Sequence, residues 1–284
     1  MEAATRIAEF DPDILIIGGW SQGYEQLLQE LRGHVKSPII CIYHGTPYHE
    51  GYFGNYLKTV QECLDDGRLD LLSFVHPPTA RYYRNVLGMR DRVVWLPHYF
   101  EPQKSVKLTS PFRIGIFGGT KNWYKNTCGP IAVAEQYANK TTGVEVAYTR
   151  NYEESHSDFL KSMESCHLLI HASFLECYSN MVQEAWARGI PVIMSAANAG
   201  LYASPFLIDR QRDVLILKDA IDPVELMTKI ESIHEYWPDE SKHAYKLGRL
   251  HHEQASVHTQ ELLRFIHNQY QKGVVRGEYP EYNV

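Results

Sequence analysis

Short runs of aliphatic and β-branched residues alternate along this chain with stretches whose apolar residues recur every three or four positions. Asp13–Ile17 reads as a buried strand closed by Gly18-Gly19, and Tyr24–Arg32 as a helix with Leu27, Leu28 and Leu31 on one face. The pattern continues with strands over Pro38–Tyr43, Leu71–Val75 and Val93–Leu96, and helices over Tyr56–Leu64 and Thr79–Leu87. A second series opens at Phe112, with strands over Phe112–Phe117, Val144–Tyr148, His167–His171, Pro191–Met194 and Val214–Leu217. Its helices fall at Pro130–Ala138, Ser157–Ser165, Asn180–Arg188, Pro223–Ile233 and Thr259–Gln271, with Asp222 as an N-cap and Gly189 as a terminating glycine. Strand and helix in strict alternation predict parallel α/β architecture.

Glu101–Pro111 breaks the pattern. It is polar, carries two prolines and has no period, so it predicts a linker between a domain over residues 1–105 and another over 106–284. The two halves are expected to face each other across a cleft, with a ligand at the carboxyl ends of the strands. The terminal helix is a candidate brace back to the first domain.

Composition narrows the class. With 44% hydrophobic and 22% charged residues over 284 positions, the chain can bury two cores and does not fit disorder. No apolar run reaches the roughly 18 residues of a membrane span, and the first residues lack a signal-peptide pattern. Cys41, Cys63, Cys128, Cys166 and Cys177 are scattered, against a disulfide framework or a thiolate metal site. A soluble protein of the reducing cytosol is expected. The net charge of −6 is uneven: His76–Asn126 holds nine basic and two acidic residues, leaving −13 for the remainder. A central basic stretch suggests an anionic ligand, although exposed Lys and Arg on helices and loops account for it as simply. His251, His252, Glu253 and His258 have the spacing of an exposed helix face rather than of a metal site.

The richest stretch runs from His171 to Ile193. A strand ends near Ser173, a loop carries Glu176, and a helix begins near Asn180. The amides of Ser179, Asn180 and Met181 at that helix start suit a phosphate. Glu184, about one turn in, is placed to accept hydrogen bonds from a ribose diol. By themselves two glutamates at this spacing also fit an ordinary strand-to-helix turn.

The full string, Ser173, Glu176 and Glu184-Ala-Trp-Ala-Arg-Gly-Ile-Pro-Val192, resembles the signature of the retaining, group 1 glycosyltransferases with the GT-B fold. Phe112 to Lys125 resembles the opening strand of that family's nucleotide-binding domain, with its glycine loop at Gly118-Gly119 and its donor-diphosphate lysine at Lys125; Gly119 stands where an Arg is usual, and Lys121 is the candidate to replace that cation. Ile40-Cys-Ile-Tyr-His44 resembles the strand that ends in a histidine beside the donor sugar. A loop histidine satisfied by its neighbours is the plainer reading of His44. The resemblance spans the second domain but only the later half of the first, where the family's usual opening strand and glycine loop are not found, so a shortened first domain is expected.

The resemblance implies two Rossmann-like domains and sugar transfer, with retention, from a nucleotide-diphosphate sugar to a hydroxyl acceptor, a saccharide by default. It assigns Glu176, His44 and Lys125 as catalytic. Gly118, Gly119, Lys121, Lys125, Ser179, Asn180, Met181 and Glu184 would bind the donor, with no metal and no further cofactor. A hydroxymethylated base in DNA is an alternative acceptor, resting on the basic block. A non-catalytic sugar-nucleotide binder is the alternative outside enzymes.

Overall fold

In each half the strands alternate between two buried faces, and that alternation decides where the helices lie. The computed structural model describes residues 2–45, 56–89, 92–103, 111–118, 123–149, 155–176, 178–202 and 215–272. They belong to two compact units, one running to His98 and resuming at Ala255, the other spanning Tyr99–Gln254.

The first unit holds four parallel strands, β1 (Leu15–Gly18), β2 (Ile39–Tyr43), β3 (Leu71–Phe74) and β4 (Val93–Trp95), in that spatial order. Ile39, Cys41 and Tyr43 of β2 share one face with Leu72, Phe74, Val93 and Trp95. Leu28 and Leu31 of helix Tyr24–Arg32, Leu57, Val60 and Leu64 of helix Tyr56–Asp65, and Tyr83 of helix Pro77–Asn85 complete that core. Each fully buried aliphatic side chain contributes about 1.5–3 kcal/mol. The intervening residues Ile40, Leu71 and Val94 point to the opposite face and pack on Leu262 and Ile266. Both come from the last part of a 36-residue helix, Trp237–Lys272, which covers that face. Asp70 pins the strand starts: its Oδ2 accepts from the Ile39 amide at 2.8 Å and pairs with Arg32.

The second unit holds β5 (Phe112–Phe117), β6 (Val144–Thr149), β7 (Leu168–His171), β8 (Val192–Ser195) and β9 (Ile216–Leu217), all parallel, in the order β6-β5-β7-β8-β9. Ile114, Ile116, Leu168, Ile170, Ile193 and Leu217 form one core with helices Cys128–Lys140 and Pro223–Glu235. Asp222 caps the latter helix, accepting from the amides of Val224 and Glu225. Gly189 ends helix Asn180–Ala187 at φ +74°, and its carbonyl accepts from Ser241 Oγ at 2.7 Å.

Three α-helical stretches were not expected from sequence: helix Glu2–Glu9, helix Ala196–Tyr202, and the first part of the long helix from Trp237. Of the expected linker, residues 104–110 lie outside the described residues. Gln103 donates its amide to the Ala187 carbonyl at 2.7 Å, so residues just beyond His98 pack within the second unit.

Candidate active site

The second sheet reverses its winding at β5, which lies between β6 and β7. Segments leaving β5 and β7 therefore diverge, and the carboxyl end of the sheet opens there. Gly118 follows β5 at φ +152°, and a Cβ there would meet Thr127 Cγ2 at 3.3 Å. Glycine suits both demands. Gly119 and Lys121 lie outside the described residues. The chain then makes one 3₁₀ turn, Trp123–Lys125, into Asn126 at φ +47°. Asparagine is among the few side chains that tolerate this left-handed region. Its Nδ2 donates to the carbonyls of Ala172 at 3.1 Å and Ala220 at 2.8 Å. Phe174 donates its amide to the Tyr124 carbonyl at 2.8 Å. The segments after β5, β7 and β9 are thereby fastened together.

That fastening sets Lys125 against Glu176. Lys125 Nζ donates to Glu176 Oε1, His171 Nε2 lies 3.1 Å from the same oxygen, and Ser173 Oγ donates to it at 3.5 Å. Among the described residues Oε2 takes no such partner. Burial opposes the charged form of Glu176, but His171 and Lys125 outweigh it and hold the carboxyl at about 2. Behind this group, Ser195 Oγ donates to the Ser173 carbonyl at 2.6 Å and accepts from the Asn198 amide at 3.3 Å. Asn198 Nδ2 donates to the His171 carbonyl at 3.4 Å.

Helix Asn180–Ala187 starts at Ser179, whose backbone is extended and whose side chain makes no capping bond. The amides of the first turn, including those of Asn180 and Met181, have no acceptor within the helix and carry its positive end. Glu184 lies one turn on. Its side chain is 7% exposed, and Oε1 accepts from His156 Nε2 at 2.9 Å. The donor candidates Lys125, Ser179, Asn180, Met181 and Glu184, with Glu176, thus all stand on segments leaving β5 and β7 in one unit.

His44 belongs to the other unit, just past β2. Its ring stacks on His98, with centroids 5.0 Å apart and 24° between planes. Burial lowers the pKa of His44; burial and then the neighbouring His44 lower that of His98 to about 4. Both rings are therefore neutral near pH 7.

Sequence reasoning missed His171, His156 and Asn126 as members of these clusters. Their partners lie 5, 28, 46 and 94 positions away, and only the serine before His156, which caps its helix, hinted at an organised turn there. The reading of His251 as part of an exposed face is corrected. His251 is buried and bonds Tyr178 Oη at 3.0 Å, because the long helix turns that face inward. Among the described residues no group of three or more His, Cys, Asp and Glu could hold a metal, and no helix is long and apolar enough to cross a membrane. Within the basic block Arg92 pairs with Asp65 at 3.1 Å, Arg113 with Glu145 at 2.8 Å and Lys125 with Glu176, and Arg84 is buried, while Arg90, Lys104, Lys107 and Lys121 lie outside the described residues.

No family model matches the sequence, and no curated protein matches it. Solved structures do match its fold. A UDP-forming α,α-trehalose-phosphate synthase from Burkholderia xenovorans, in complex with glucose-6-phosphate, aligns at a TM-score of 0.67 and 11% identity, over 93% of this chain and 75% of the other. Anabaena Alr3699/HepE, in complex with UDP and glucose, aligns at 0.63 and 14%, over 94% and 80%. A chain of the GtfA/B complex aligns at 0.64 and 13%, over 93% of this chain and 61% of its own. TarM is covered to 57% of its length, so the chain spans about three fifths of these last two. Two parallel α/β units that align with these enzymes over more than nine tenths of the chain give it the GT-B glycosyltransferase fold.

Proposed function

We propose that this chain transfers a sugar from a nucleotide-diphosphate sugar to a hydroxyl acceptor, with retention at the anomeric carbon. The observation that carries the reading is the bonding of Lys125 to Glu176 on segments leaving β5 and β7, with Glu184 in the first turns of the helix that follows β7, in the GT-B fold. A diphosphate suits that helix start. Breaking the bond between the sugar and the diphosphate places negative charge on the leaving group, and the Lys125 ammonium would stabilise it as it develops. Glu176 Oε2 would accept from a donor-sugar hydroxyl, and Glu184 from the ribose. These roles need no metal.

A saccharide is the favoured acceptor. HepE is described with UDP and glucose, and the trehalose-phosphate synthase with glucose-6-phosphate, which makes sugars the natural first substrates to try. A DNA acceptor would call on a field of Lys and Arg free to meet phosphates, and Arg92, Arg113 and Lys125 of the basic block already have carboxylate partners.

Thermal shift with UDP, GDP, ADP and TDP, each bare and as a sugar conjugate, tests the reading, because a ligand of the native state raises the melting point by mass action. At least one should do so, and Glu184→Ala should weaken its binding by about 1.5–3 kcal/mol, the range for a hydrogen bond to a charged group. No shift with any nucleotide would overturn the proposal. Binding without release of sugar, with or without glucose as acceptor, would leave a binding module. His44→Ala should reduce transfer and spare binding of the bare nucleoside diphosphate.

A further inference from the structure

We infer that His156 is a positioning residue for the nucleotide's ribose, holding one oxygen of Glu184 so that the other is presented to the sugar. The inference rests on the nucleotide-sugar reading above. A carboxylate as enclosed as that of Glu184 needs a hydrogen-bond partner, and among the described residues His156 supplies it, Nε2 to Oε1 at 2.9 Å. An ionised carboxylate only accepts, so Nε2 carries the hydrogen in this pair. The imidazole itself is 69% exposed, so core packing does not account for its placement.

Its orientation is fixed by neighbours on the same side of the sheet. The ring stacks on Phe159, centroids 6.2 Å apart and 21° between planes. Phe159 in turn meets Phe117, the last residue of β5, edge to face at 5.5 Å. The backbone is fixed as well. Ser155 caps the helix, accepting from the Asp158 amide at 3.2 Å and donating to the Asp158 carboxylate at 2.7 Å, and His156 is the first helical residue. The aromatic series therefore runs from the strand that leads into Gly118 to the carboxylate assigned to the ribose. With Oε1 engaged and the carboxylate plane held, Oε2 is the oxygen left to accept from a ribose hydroxyl.

The role predicts a loss that depends on the hydroxyl. Wild type, His156→Ala and His156→Gln are titrated with UDP and with 2′-deoxy-UDP, or with GDP and 2′-deoxy-GDP if GDP binds tighter. His156→Ala should weaken the ribonucleotide about 3- to 10-fold, the effect of one hydrogen bond, and the deoxynucleotide less than about 2-fold. His156→Gln, which keeps a donor, should recover most of the loss. Equal losses for both nucleotides, or no loss for the ribonucleotide in a folded variant, would overturn the role of His156 and leave the proposed function standing. A wild-type chain that binds none of UDP, GDP, ADP and TDP would overturn both.

Discussion

Lys125 and Glu176, 51 positions apart in sequence, are joined by a direct hydrogen bond from Nζ to Oε1. The pair places the proposed phosphate cation and the proposed sugar-binding carboxylate within one polar group. It also makes each the other's support. Removing Lys125 would leave Glu176 Oε1 with His171 Nε2 and Ser173 Oγ as its remaining neighbours.

Lys125→Ala should lower the turnover number roughly 100-fold or more, as deletion of an oxyanion donor does, with a smaller change in the Michaelis constant. An interaction that strengthens only as the diphosphate departs behaves this way. Steady-state kinetics with the nucleotide sugar found by thermal shift checks it, and an effect confined to the Michaelis constant would reassign Lys125 to ground-state binding.

Glu176 should tie stability to acid pH. Its folded value, about 2, lies below the usual 4.5, so its contribution is complete above about pH 4.5 and is lost as pH falls through about 2. Urea unfolding across that window should show a shallower acid loss for Glu176→Gln than for wild type. Parallel curves would mean that the Lys125 and His171 contacts do not persist in solution.

His98 acts in a higher window. Its folded value near 4 lies below the usual 6.5, so the unfolded chain takes up more protons there and stability falls from about pH 6.5 towards 4. His44, lowered by burial, acts in the same direction. His98→Asn should flatten the fall between about pH 6.5 and 4, measured by unfolding free energies at pH 7 and 5. An unchanged slope would remove the His44–His98 stack as its source.

Gly248 reverses the usual helix rule. Replacing a mid-helix glycine with alanine ordinarily stabilises by about 0.5–1 kcal/mol. Here the added Cβ would lie 2.5 Å from the Trp186 carbonyl oxygen and 2.7 Å from the Ala187 nitrogen, both backbone atoms that cannot rotate away. Gly248→Ala should therefore destabilise by about 1–3 kcal/mol, the cost of overpacking. A stabilised variant in chemical denaturation would show that the two helices can separate at no cost.

Gly248 also explains part of what the sequence hid. Trp237–Leu250 was not read as helix because it mixes a proline, a glycine and a histidine with charged residues, and its regularity depends on what it touches. Pro238 falls in the first turn, where its missing amide costs nothing, and Gly248 marks a close approach. The strands were legible because each is a short buried run whose alternation reports both faces, as Ile39, Ile40 and Cys41 do. Glu176 and Glu184 were legible because their spacing survives within one local string. Their partners His171 and His156 were not, since a hydrogen bond made by tertiary folding leaves no period in the chain.

Asn126 ties together three segments of the second unit that are far apart in sequence, through one side-chain amide. Breathing of the loop that bears Lys125 therefore requires two carbonyl bonds to open together, in the loops after β7 and β9. Amide exchange at Tyr124–Asn126 and at Ala172–Phe174 should proceed at a shared rate, as one opening unit, and Asn126→Gly, which keeps the left-handed backbone and removes the amide, should let them exchange independently. The turn would then serve as a fixed wall of the site, and any motion that admits or releases a nucleotide sugar would belong to other segments.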